Sequence, residues 1–94
     1  MGNFEDQNRA ALMSCIEVVI MRRNGVNYQL IQAKLKSLYN CTVADCYENP
    51  KYLRTVLKDV YKESYDSIID EIKFELGELV NMKEIVNYLK IMES

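Results

Sequence analysis

The chain has 94 residues, of which 49% are hydrophobic and 28% are charged, and its net charge is −2. This composition is typical of one folded globular domain and argues against a disordered chain. A net charge this small gives no general attraction for nucleic acid or anionic lipid. Histidine is absent, and with it the commonest general base and a frequent metal ligand. We therefore predict a protein that is not an enzyme and that uses no cofactor and no metal.

The start of the sequence and its apolar segments bear on where in the cell the protein is expected to be. Residues 1–8 contain two acidic and no basic side chains, unlike the positively charged start of a signal peptide. The longest apolar segment, at residues 15–21, is interrupted by Glu17 and is too short to span a bilayer. We expect a cytoplasmic protein without a membrane partner.

The first two predicted elements are helices. Residues 5–24 place apolar side chains at helical spacing, and Gly25 is expected to end this helix in a left-handed conformation. A second helix is predicted over residues 28–38, with Asn27 as its N-cap, because an asparagine side chain accepts a free N–H of the first turn.

A single helical turn and a third helix are predicted next. Thr42 and Asp45 have the spacing of a capping box, which favours one turn near residues 43–47. Asn49 is the predicted N-cap of a helix over residues 50–62. Its first residue is the only proline of the chain, and proline suits the first helical position because it has no N–H to leave unpaired.

Two further helices complete the chain. Ser64 is the predicted N-cap of a fourth helix, which Gly77 is expected to weaken or end. Asn81 is the predicted N-cap of a fifth helix over residues 82–92, with Glu84 as an acidic residue in its first turn.

These elements predict one fold class. No segment shows the two-residue alternation typical of a strand, and the joining segments are short, which favours packing of sequential neighbours. The predicted fold is all-α. It is a compact single-domain bundle of about five short helices, with an extra helical turn near residues 43–47, and the domain spans residues 1–94.

The third helix, which starts at Pro50, carries the clearest candidate contact surface. Four basic side chains share one of its faces at spacings of three and four residues: Lys51, Arg54, Lys58 and Lys62. This face either contacts a phosphate backbone or acidic partner, or is a solvated face paired with the acidic fourth helix. Residues 1–62 contain nine basic and six acidic side chains, and residues 63–94 contain three basic and eight acidic ones, which favours the second alternative.

Seven tyrosines are many for this length. A tyrosine buries its ring and keeps its hydroxyl near water, which suits both a core edge and an interface. Tyr47 and Tyr52, with Tyr61, are candidates for a partner-binding face, and a half-buried core edge is the favoured alternative.

Three cysteines form an odd number and include no CxxC pair, so no disulfide framework is predicted. Cys15 lies in the apolar stripe of the first helix, whereas Cys41 and Cys46 flank a loop where a thiol could react. We expect all three to be reduced thiols.

Several segments between residues 28 and 76 resemble a known family. They are residues 35–45 (LKSLYNCTVAD), 48–53 (ENPKYL) and 68–72 (IIDEI), with Val56-Leu57, Val60-Tyr61, Ser64 and Leu76. The chain resembles small archaeal output domains of signalling proteins, of the Nitrososphaera output domain type. It departs from that pattern at Lys62-Glu63, where the family tends to carry glycine. The resemblance implies a regulatory or interaction module and brings no catalytic residues.

Two functional hypotheses remain. The first is a small non-catalytic regulatory or interaction domain, a signalling output or adaptor module that works through contact with a protein partner or through homodimerisation. The alternative is a nucleic-acid-binding transcriptional regulator that uses the basic face of the helix starting at Pro50. A helix-turn-helix is not favoured, because about eleven residues separate the second and third helices and that motif uses three or four.

Overall fold

The computed structural model describes the backbone of residues 3–94 and the side chains of residues 7–94. Residues 1 and 2 belong to the predicted domain and to the segment that does not resemble a signal peptide, and they lie outside the described residues. The α-helices are α1 (Asn3–Arg23), α2 (Gly25–Tyr39), α3 (Pro50–Tyr61), α4 (Tyr65–Leu76) and α5 (Lys83–Glu93). Short 3-10 segments are Ala44–Tyr47, Lys62–Ser64 and Gly77–Asn81. No strand occurs among residues 3–94, and the all-α prediction is confirmed.

The core lies where the apolar faces of the five helices meet. α1 packs against α2 and α4, α2 packs against α3, and α3 packs against α5. Each helix contributes fully buried side chains, among them Leu12, Ile16, Ile20, Ile31, Leu35, Leu53, Leu57, Ile68, Ile72 and Ile85. The Cα radius of gyration is 12.5 Å, close to the ~12 Å expected of a compact domain of this length.

The corner between α1 and α2 differs from the prediction. Asn24, and not Asn27, caps α2: its backbone is extended, and its Oδ1 accepts the N–H of Val26 at 2.8 Å. Gly25 is the first residue of α2 and has no positive φ. Its predicted role as a left-handed stop is therefore wrong. A single asparagine ends one helix and starts the next, because its own N–H still bonds to the carbonyl of Ile20 at 3.0 Å.

The segment between α2 and α3 contains the predicted turn. The N–H of Thr42 donates to Asp45 Oδ2 at 3.0 Å, and the N–H of Asp45 donates to Thr42 Oγ1 at 3.4 Å, so the capping box is confirmed. α3 starts at Pro50 as predicted, but the side chain of Asn49 does not cap it. The backbone carbonyl of Asn49 instead accepts the N–H of Tyr52 at 3.0 Å.

The last two helices begin without the predicted side-chain caps. α4 begins directly after Ser64, but a 3-10 segment leads into it and the serine side chain makes no capping bond. Gly77 ends α4 as predicted, with φ +60°. Met82, and not Asn81, is the residue before α5, and its backbone is extended. Lys62 adopts φ +50° after α3, a conformation that glycine adopts more easily.

A relay of three hydrogen bonds joins α1, α2 and the loop after α2. The N–H of Val43 donates to Gln32 Oε1 at 3.1 Å, Gln32 Nε2 donates to the Tyr28 hydroxyl at 2.9 Å, and that hydroxyl donates to Glu17 Oε2 at 2.7 Å. The relay is half-buried, and it fixes the loop against the first two helices.

Candidate functional site

Two of the four basic residues of α3 contact the end of α5. Arg54 Nη1 donates to the carbonyl of Ile91 at 3.0 Å and to Ser94 Oγ, and Lys58 Nζ donates to the carbonyl of Ser94 at 3.0 Å. The final carbonyls of a helix lack partners within it, and they carry the negative end of its dipole. Arg54 and Lys58 therefore stabilise the C-terminal end of α5.

The other two basic residues lie near the ends of α3. Both Lys51 and Lys62 are exposed. Lys51 borders a shallow cavity of about 220 Å³, which Tyr52 and Ile91 also line. The structure thus brings Arg54 and Lys58 together at α5 and places Lys51 and Lys62 apart from that contact.

The acidic fourth helix pairs with α1. Glu71 accepts Arg23 Nε at 2.8 Å and Arg22 Nη2 at 3.3 Å, and Glu75 accepts Arg22 Nη2 at 3.0 Å. These two carboxylates bind the last turn of α1. One contact does link that face to α4, because the Lys58 ammonium lies 5.4 Å from the centre of the Tyr65 ring.

The candidate tyrosines Tyr47, Tyr52 and Tyr61 are half-buried, and the first two make internal aromatic contacts. The Tyr52 ring stacks on Tyr39, with centroids 4.0 Å apart and planes 5° from parallel. The Tyr47 ring stacks on Tyr88 at 5.8 Å, and the Arg9 guanidinium lies 5.4 Å from its centre. The Tyr52 ring therefore joins α3 to α2, and the Tyr47 ring joins the segment between these helices to α5, which is the core-edge arrangement.

The described residues contain no metal cluster, and the cavities on their surface are open to solvent. Within the part of the chain that the structure describes, no three Cys, Asp or Glu side chains come together to hold a metal ion. A shallow cavity of about 350 Å³ is lined by Arg9, Ala10, Met13 and Ala44. Enzyme and cofactor sites usually combine an apolar pocket with several converging polar groups, and Arg9 is the single charged side chain among these four.

Sequence reasoning missed a group of exposed apolar side chains around the corner between α1 and α2. Val18 and Met21 near the end of α1 are 42% and 50% exposed, and Val26 and Leu30 at the start of α2 are 74% and 43% exposed. We call these four residues the corner patch. Their helical spacing was a usable signal, since each pair falls outside the apolar stripe that its helix buries.

The surroundings of the corner patch are uncharged along one face of α2 and charged near the end of α1. Val26, Leu30, Ala33 and Ser37 are exposed, and their spacings of four, three and four residues place them on one face of α2. The ion pairs of Arg22 and Arg23 with α4 lie beside the α1 end of the patch. Phe74, which is 85% exposed, precedes one of the acidic partners, Glu75.

Among the described residues, no helix has the length and hydropathy that a bilayer crossing requires. Comparison of the chain with protein-family models, with curated proteins and with solved structures finds no match.

Proposed function

We propose that this protein is a small non-catalytic interaction domain, a signalling output or adaptor module that binds a partner protein through the corner patch. The observation that carries the proposal is the exposure of Val18, Met21, Val26 and Leu30 around a single corner. The resemblance to archaeal signalling output domains supports the same class of function.

The arrangement of these side chains matters more than their number. Single exposed apolar residues are ordinary, whereas a cluster with a polar rim is typical of a protein-contact surface. Each of the four lies within six residues of Asn24. Because a helix rises by about 1.5 Å per residue, all four lie within roughly 10 Å of the corner along their helices. The partner surface that fits them is apolar, with charged groups placed to meet the arginines and glutamates beside the patch.

The basic face of α3 supports the nucleic-acid alternative less well. Arg54 and Lys58 donate hydrogen bonds to the end of α5, so a phosphate would have to compete with those contacts. Two exposed lysines, Lys51 and Lys62, remain at the ends of the helix. Affinity for duplex DNA depends on the number of phosphates neutralised, and two lysines give a weak contact.

The test compares binding by the native protein and by a variant that carries Val26→Glu and Leu30→Glu. A partner captured by the native protein is purified, and its dissociation constant for each form is measured by calorimetry. We expect the double variant to bind at least about tenfold more weakly, since an interface that covers these positions would bury two unpaired carboxylates. Thr55→Glu is the matched control, because it adds a carboxylate to an exposed position of α3, and it should bind like the native protein.

Two outcomes would overturn the proposal. One is a folded double variant, shown by circular dichroism, that binds the partner with native affinity. The other is salt-dependent binding to duplex DNA that is lost when Lys51 and Lys62 are both changed to glutamine. Sedimentation velocity of the native protein alone shows whether the partner is a second copy of the chain.

A further inference from the structure

The loop between α2 and α3 brings two cysteine thiols together. Asn40 ends α2 in a left-handed conformation with φ +54°, and the capping box of Thr42 and Asp45 turns the chain back. As a result, Cys41 Sγ and Cys46 Sγ lie 4.0 Å apart. We call residues 41–46 the dithiol loop.

The two thiols differ in their access to solvent. Cys41 is half-buried, whereas Cys46 is fully buried, and its Sγ lies 3.4 Å from the carbonyl of Thr42, to which it donates. Burial, with the neighbouring Cys41, raises the pKa of Cys46 to about 12. Because thiol–disulfide exchange needs a thiolate that can reach the oxidant, Cys41 is the thiol placed to react first and Cys46 is placed to react second.

We propose that Cys41 and Cys46 form an oxidation site that closes to an intramolecular disulfide in the presence of a small disulfide oxidant, such as oxidised glutathione. The Cys41 thiolate attacks one sulfur of the oxidant, whose S–S bond breaks and releases one thiol. Cys46 then loses its proton and attacks Cys41 Sγ, and the second thiol leaves. Two electrons pass from the two cysteines to the oxidant, and the products are one protein disulfide and two small thiols.

The geometry favours formation of a disulfide between Cys41 and Cys46 over binding of a zinc ion by the two thiols. A disulfide needs its sulfurs about 2 Å apart, so the two Sγ atoms approach each other by roughly half their separation. Structural zinc sites use four ligands, and the described residues hold no group of three metal-binding side chains. The Cys46 carbonyl accepts the Tyr88 hydroxyl at 2.9 Å, which ties the dithiol loop to α5.

The test uses the reduced, folded protein, equilibrated with oxidised glutathione, quenched with acid, alkylated and digested with trypsin. Cleavage after Lys36 and Lys51 places both cysteines of the dithiol loop in the peptide of residues 37–51, whereas Cys15 lies in the peptide of residues 10–22. We expect the first peptide to lose two hydrogen atoms and to resist alkylation, and the Cys15 peptide to remain alkylated.

Two cysteine variants and a comparison of the folded protein with the protein in urea complete the test. Cys46→Ala should stop the reaction at a glutathione adduct on Cys41, and Cys41→Ser should leave Cys46 reduced. The ratio of closed to open loop in the folded protein should exceed that in urea by at least about tenfold, because the fold holds the sulfurs together. Stable glutathione adducts on the native dithiol loop, faster oxidation of Cys15, or equal closure in urea would each overturn the proposal.

Discussion

Two tyrosine hydroxyls make buried hydrogen bonds that link distant parts of the chain. The Tyr65 hydroxyl donates to the carbonyl of Met92 at 2.6 Å, and the Tyr88 hydroxyl donates to the carbonyl of Cys46 at 2.9 Å. Both side chains are buried, and a buried hydroxyl needs a hydrogen-bond partner. Each tyrosine therefore combines a core ring with one polar contact between segments that are far apart in sequence.

Replacing Tyr88 with phenylalanine tests the value of one such contact. The ring and its stack on Tyr47 remain, but the carbonyl of Cys46 loses a donor and keeps the N–H of Asn49. We expect the free energy of unfolding to fall by about 1 kcal/mol, the usual net value of a hydrogen bond. Urea denaturation measures this change. Tyr52→Phe, which alters a half-buried tyrosine, should change stability less, and an equal loss in both variants would contradict the argument.

At the scale of the elements, the two asparagines that precede α2 and α3 differ in whether their side chains cap the helix. The Asn24 side chain accepts the N–H of Val26, whereas the Asn49 side chain makes no capping bond. Asn24→Ala should therefore lower the free energy of unfolding by about 1 kcal/mol. Asn49→Ala should lower it by less than about 0.5 kcal/mol, since no capping bond is lost. Thermal unfolding followed by circular dichroism compares the two, and a larger loss for Asn49→Ala would show that the capping assignment is wrong.

The α-helices could be predicted from sequence, but the residues that cap their N-termini could not. Apolar periodicity locates a helix because it reflects the face that the core will cover. Which of Asn24 and Asn27 becomes the cap depends on where α1 stops, and tertiary packing decides that. The partners of Arg54 and Lys58 were equally beyond local reasoning, because they belong to the end of α5, more than thirty residues away. The spacing of the corner patch residues places them outside the buried stripes, but spacing does not show where α1 and α2 meet.

At the scale of the whole molecule, the uneven distribution of charge ties the two halves of the chain together. The basic N-terminal part and the acidic C-terminal part meet where Arg22 and Arg23 bind Glu71. Arg9 likewise pairs with Glu48 across the first half, at 3.4 Å. Such exposed pairs each contribute at most about 1 kcal/mol. The buried titratable groups have a larger effect on stability.

Stability should decline with rising pH in the alkaline range and stay constant near neutral pH. The chain has no histidine, so we expect a constant free energy of unfolding between about pH 6 and 8. Burial raises the pKa of Cys46 to about 12 and raises the pKa of Tyr65 and Tyr88 above their ordinary 10.0. Above about pH 9 the unfolded chain loses these protons before the folded chain does, so stability falls as pH rises, by up to about 1.4 kcal/mol per pH unit for each group.

Urea denaturation at intervals from pH 6 to 11 measures this dependence. Tyr88→Phe removes one of the groups with a raised pKa and should give a shallower decline above pH 10. A native stability that stays constant to pH 11, or one that falls between pH 6 and 8, would contradict the expectation.

In the hydrogen-bond relay from Glu17 to Val43, the groups at the two ends fix which atoms donate and which accept. A carboxylate can only accept and a backbone N–H can only donate, so the Tyr28 hydroxyl must point to Glu17 and the Gln32 oxygen must face Val43. The hydrogen bond to Glu17, with burial, also raises the pKa of Tyr28, which keeps its proton in place. Gln32 therefore has one permitted amide orientation. Glutamate has the same shape but two accepting oxygens, and it could not replace glutamine without breaking the connection between α1 and the dithiol loop.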